Sequence, residues 1–367
     1  MPKLGYLNHL KLSGFRSIKE MDLPLGRLNV LIGPNGAGKS NFINFFRFMN
    51  KLLQKDLQLY VAEQGGADAI LHFGRKQTPL LEAKLRFDPN TYNCELTPTN
   101  DGRLVFKSEI CQFYGYKIGY DGGVKLKKLA EPGATESGLP KPSTASIHGH
   151  VAGYIEDWKV YHFHDTSKTA LVKQPCEVLD SERLREQGEN LAAFLFEVQE
   201  HQPAAYQRIV STIQRAAPFF HDFILEPDRH NDSKIRLRWK HKGNDAYFDA
   251  HSLSDGTLRF ICLTTLLLQP KLPSVILLDE PELGLHPYAI QLLGSMLRSA
   301  SENTQIIAST QSVTLANEFQ PENVIVVEHR DNNSQFRRLE PKAFECWLED
   351  YRLGDLWEKN LLGGTPL

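Results

Sequence analysis

Residues 33–40 read GPNGAGKS, filling every defining position of the G-x-x-x-x-G-K-[ST] pattern. The flanks decide what this glycine run is. Residues 27–33, RLNVLIG, form an apolar strand, and residues 41–53 place Phe42, Ile43, Phe45, Phe46, Met49, Leu52 and Leu53 on one face at helical spacing. Strand, glycine loop and helix therefore follow in the order a phosphate-cradling loop needs. Gly33, Gly36 and Gly38 let consecutive backbone N–H groups curl around phosphate oxygens, and the helix N-terminus adds partial positive charge. Asn35, Gly36, Gly38, Lys39, Ser40 and Asn41 are the expected nucleotide contacts, with Lys39 on the β- and γ-phosphates and Ser40 on Mg²⁺.

A second half-site lies about 240 residues further on. Residues 273–287, PSVILLDEPELGLHP, give an apolar strand ending in Asp279 and Glu280, at the strand end where open α/β sheets bind ligands. Asp279 is expected to share the Mg²⁺ with Ser40. Glu280 is expected to polarise the attacking water as general base. Two motifs so far apart that must meet in one site imply a single interrupted domain spanning residues 1–367.

Composition excludes other classes. The chain has 367 residues, 42 Lys and Arg against 44 Asp and Glu, and a formal net charge of -2, so nucleic-acid contact would need a local patch. Cys94, Cys111, Cys176, Cys262 and Cys346 show no C-x-x-C spacing, which speaks against a zinc site or a disulfide framework. There is neither a basic segment leading into an apolar one at the start nor a run of 18 apolar residues. A cytoplasmic protein without membrane contact is expected.

Between the motifs, residues 81–87 alternate as a half-buried antiparallel strand within an N-terminal lobe, residues 1–130. Residues 131–153, rich in Gly, Pro, Ser and Thr, read as a flexible loop. Residues 180–220 turn helical and read as an insertion standing off the sheet. Residues 234–242 alternate so that Lys234, Arg236, Arg238, Lys240 and Lys242 share one strand face, either a cationic stripe for a nucleic-acid backbone or a solvated face. His162, His164 and Asp165 lie together but lack a third ligand at recognisable metal spacing.

Taken with LSDGT (253–257) and STQS (309–312), these motifs resemble the ATP-binding-cassette ATPases, specifically the soluble SMC and RecF-like branch. LKLSGFRSIKE (10–20) is similar to that branch's opening strand, and WLEDYRLGDLW (347–357) to the ending of small RecF-like AAA-family ATPases without coiled coils. The resemblance implies an α/β P-loop NTPase fold: an ABC-type head with an antiparallel β lobe, a mixed core sheet and a helical insertion. It places signature, acidic strand and switch in residues 250–330, and a helical tail in 340–367.

The resemblance also implies that LSDGT touches the γ-phosphate of ATP held by a second copy, with Ser254 and the N–H groups near Gly256 as donors, so that ATP binding makes a homodimer. Asp255 replaces the family's glycine and either points away or weakens closure. Gln311 stands where the family commonly has a histidine; it can donate but cannot relay a proton. Arg16 resembles a family arginine near the phosphates, or is structural. Gln64 and Gln77 both fit the lid glutamine on spacing, and His286 matches a position beside the subunit interface. Three functions follow: an ATPase acting in DNA transactions such as repair or anti-phage defence, an ATP-gated module controlling a separate effector protein, and, disfavoured by the opening and ending segments, a transporter's nucleotide-binding subunit.

Overall fold

The computed structural model describes residues 6–117, 120–141, 146–244 and 246–364. Its core is a six-stranded sheet in the order Asn333–Arg338, Val324–Arg330, Leu28–Ile32, Gln305–Thr310, Val275–Asp279, Trp158–Tyr161. All neighbours run parallel except the first pair, an edge hairpin. Parallel strands covered on both faces read as continuous apolar runs, and Leu28–Ile32 is buried at every residue. The polar member of that run, Asn29, is satisfied by donating to the carbonyls of Gly26 (2.8 Å) and Ile306 (3.2 Å). Because Leu28–Ile32, Gln305–Thr310 and Val275–Asp279 are adjacent and parallel, the residues that follow them, Gly33, Gln311 and Glu280, emerge at one end of the sheet.

The second large sheet is antiparallel, in the order Ile18–Pro24, His9–Phe15, Leu81–Arg86, Asn90–Pro98, Leu104–Lys117, Tyr120–Ala130. Helix Lys39–Leu53 packs between the two sheets, its Phe45 ring 5.7 Å from Phe15 on one and its Phe46 ring 4.9 Å from Trp158 on the other. A helix buried on opposite sides must be apolar around most of its circumference, as this one is. The far face of the core sheet carries helices Leu191–His201, Pro203–Ala216, Asp255–Leu268 and Pro287–Ser301, which share a single apolar core. The first two are the helical pair expected over 180–220, but they share the apolar core of the sheet instead of standing off it; the second is entered through Pro203 at its first turn, where no N–H is missed.

Two expectations fail. The stretch 131–153, read as a flexible loop, is tied down: the buried carboxylate of Glu109 accepts from Ser137 Oγ and Gly138 N (2.6 Å), Leu139 is fully buried, and a helix runs from Ile147 to Glu156. Residues 142–145 lie outside the described residues. The cationic stripe is not one strand either. Asn231–Ile235 and Arg238–His241 belong to different three-stranded sheets, so the alternation breaks between Ile235 and Arg238. Three of its five cations are paired, Lys234 with Glu177 (2.6 Å), Arg236 with Asp228 (3.6 Å) and Arg238 with Glu226 (3.8 Å), and Lys240 lies over Tyr247.

Candidate functional site

Gly38 caps the helix Lys39–Leu53 at φ +111°, and a Cβ there would sit 2.1 Å from Ser334 Oγ. Gly36, at φ +78°, faces open space, so the loop is braced on one side and free on the other. Asn35, Gly36 and Ser40 are exposed. Lys39 is 4% exposed, and its ammonium donates to the carbonyls of Gly33 (2.7 Å) and Pro34 (2.9 Å). Burial pushes the ammonium's pKa down, opposed by the negative charge of Glu280, then Asp279, then Glu282. A cation held by carbonyls beside an open glycine loop is a donor set that fits a polyphosphate.

The acidic side meets this loop across the sheet end. Asp279 pairs in register with Ser309, whose hydroxyl donates to Asp279 Oδ1. At Glu280 the chain turns with φ +46°, a conformation non-glycine residues adopt at a cost, held here by bonds from its N–H to Ser309 O and Oγ, both 3.1 Å. That turn frees the Glu280 carboxylate from the strand, and Gln311 Nε2 donates to its Oε1. Ser40 and Asp279 offer hard oxygens of the kind Mg²⁺ takes.

The remaining expected residues have varied surroundings. Asn41 donates to Ser17 Oγ (2.7 Å), as does the Ser334 hydroxyl (2.7 Å), which fixes the GFRS turn against the loop helix. Arg16 sits in that turn at φ +49° and donates to Gln64 Oε1; Gln77 lies in a separate turn, its N–H on Gly74 O (3.1 Å). Ser254 caps helix Asp255–Leu268, its Oγ accepting from Thr257 N (3.3 Å). Gly256 packs so tightly that a Cβ would lie 2.3 Å from Gly284 O, joining the signature turn to the turn after Glu280. The Asp255 side chain is 69% exposed, 4.0 Å from the Lys173 ammonium. His286 caps helix Pro287–Ser301, its Nδ1 accepting from Tyr288 N (3.3 Å).

His162 and His164 are not part of a metal-ligand cluster among the described residues. His164 Nε2–H donates to the backbone carbonyl of Asp279 (2.7 Å), and burial pushes the His162 pKa down to about 4, helped by the charge of Arg47. Three residues were missed from the sequence. Ser309 orients Asp279; Glu282 lies buried beside Thr310 and Gln311; Arg259 donates to the carbonyls of Phe163 (3.0 Å), His164 (3.1 Å) and Leu283. The DEPE run and the arginine six residues after Leu253 were visible, but their partners lie 24–96 residues away.

A phosphate loop, an acidic strand end and a glycine-bearing capped helix, arranged around this core sheet, give a P-loop NTPase fold. A family model described as "AAA domain, putative AbiEii toxin, Type IV TA system" matches residues 28–83 and 138–317, more than half of the chain, and the protein belongs to that family. No curated protein matches the chain. Among solved structures, an Smc head bound to the C-terminal winged-helix domain of ScpA shares 16% identity at a TM-score of 0.60, covering 93% of this chain and 99% of that one. An Smc head with an extended coiled coil bound to the C-terminal domain of ScpA, from Pyrococcus furiosus, shares 15% at 0.56 over 94% and 99%. One from Pyrococcus yayanosii, with a coiled coil and joint, shares 11% at 0.54 over 94% and 99%. At these identities the likeness is one of fold. Among the described residues no helix is long and apolar enough to cross a membrane.

Proposed function

We propose that the protein binds ATP with Mg²⁺ between the loop 33–40 and the strand end at Asp279, and hydrolyses it with Glu280 as general base. The observation that carries this reading is the placement of Glu280 at the end of the sheet that also carries Lys39, its carboxylate freed by the turn and oriented by Gln311. Lys39 and the loop N–H groups would hold the phosphates, Ser40 and Asp279 the Mg²⁺, whose chemistry is to neutralise charge on the transferred phosphoryl group. Glu280 would take the proton of the attacking water, and Gln311 would fix its direction. The test is nucleotide binding and phosphate release by Lys39→Ala. Loss of both in a folded variant supports the reading, and undiminished activity removes it.

Hydrolysis is best coupled to an ATP-dependent homodimer. Ser254 is exposed at the N-terminus of a 14-residue helix, and through the Gly256–Gly284 contact it adjoins Leu283, an apolar side chain 51% exposed; Tyr288, in the helix that follows, is 44% exposed. That face suits a second copy presenting its own nucleotide. The DNA-transaction role rests on family analogy, since the stripe is split between two sheets and Lys234, Arg236 and Arg238 are paired with carboxylates. The reading as an ATP-gated module for a separate effector draws support from the Smc heads seen with ScpA domains.

A further inference from the structure

Glu282 has no task in the hydrolysis just described. It lies in the turn after the acidic strand and is 8% exposed. Its Oε1 accepts from the Thr310 hydroxyl and from Gln311 N–H (3.2 Å), while Oε2 is buried without a hydrogen-bond partner among the described residues. Burial pushes this carboxyl's pKa up. Placing a carboxyl in such a position is unfavourable, and an apolar side chain of similar volume would fill the space without that cost. The bonds it makes show what it does there.

Thr310 ends the strand Gln305–Thr310, and its hydroxyl is used twice, donating to Glu282 and accepting from Ser312 N (2.9 Å). Gln311 sits between these anchors. Its backbone N–H is held by Glu282, and its side-chain amide reaches Glu280 Oε1. The chain therefore runs from Glu282 through Gln311 to Glu280, closing the acidic turn and the switch turn on each other. We propose that Glu282 is a positioning residue: it fixes the turn 310–312 so that Gln311 presents its amide to the general base. This rests on the hydrolytic reading above.

Two substitutions separate positioning from packing. Glu282→Met keeps the volume and removes the acceptor, whereas Glu282→Gln keeps an acceptor at the same point. In the full chain, Glu282→Met should leave the Kd for ATP and the KM unchanged and lower kcat by roughly 10²-fold, the scale of a misplaced catalytic group, with Glu282→Gln regaining most of it. Hydrogen–deuterium exchange at the Gln311 peptide N–H should quicken in the Met variant and return in the Gln variant. Unchanged kcat and exchange in Glu282→Met would overturn the proposal, as would equal losses of binding, kcat and Tm in both variants. A wild-type protein that releases no phosphate would instead defeat the hydrolytic reading, while exchange at Gln311 still reports whether Glu282 holds the turn.

Discussion

Gln311 donates its side-chain amide to Oε1 of Glu280 across the gap between two parallel strand ends. Since the amide bonds the Glu280 carboxylate, Gln311→Ala should lower kcat by up to about 10²-fold and leave ATP affinity intact. Gln311→Glu should be worse at neutral pH, because two carboxylates in contact resist joint ionisation. Steady-state phosphate release with a separate binding titration checks both.

Ser254→Arg should leave ATP binding to each chain intact and block the ATP-dependent dimer by steric bulk. Mixing it with Lys39→Ala yields a heterodimer with one doubly defective composite site and one intact site, so part of the activity should return. ATPase rate against mixing ratio, with light scattering, measures this. A Ser254→Arg protein that dimerises and turns over normally would show that the signature turn acts within its own chain or not at all.

Gly256→Ala is expected to destabilise the fold by about 1–3 kcal/mol, the usual range for overpacking, because the added Cβ meets the Gly284 carbonyl at 2.3 Å. Urea unfolding of the variant beside wild type reads the difference.

His162 links stability to pH. Its pKa falls from the ordinary 6.5 to about 4 in the fold, so between these values the unfolded chain binds more protons than the folded one. The contribution is complete above pH 6.5 and is lost as pH falls toward about 4. The wild-type denaturant midpoint should accordingly fall relative to that of His162→Asn as pH drops from 6.5 to about 4; parallel curves would contradict it.

The parts legible in the sequence were those whose signal is local. GPNGAGKS with its flanking strand and helix, the apolar run into Asp279, and the helical pair after residue 180 each carry their own periodicity. What escaped depends on distant partners. The alternation from Lys234 to Lys242 continues in sequence while the chain crosses from one small sheet to another, and the Ser137–Leu139 segment looks unstructured until Glu109, 28 residues earlier, is seen to bind Ser137. Gln64 and Gln77 were equivalent on spacing, and in the fold Gln64 meets the Arg16 guanidinium while Gln77 meets the Gly74 carbonyl. Glu282 was hidden because a buried carboxyl is readable only through the strand end it closes upon.

The central claim, hydrolysis of ATP with Glu280 as the base, is tested most directly by phosphate release from ATP and Mg²⁺, comparing wild type with Glu280→Gln alongside retained nucleotide. The account predicts that wild type releases phosphate and that Glu280→Gln holds ATP while releasing phosphate about 10²- to 10⁴-fold more slowly. Equal rates for the two proteins, or no release by wild type, would contradict it.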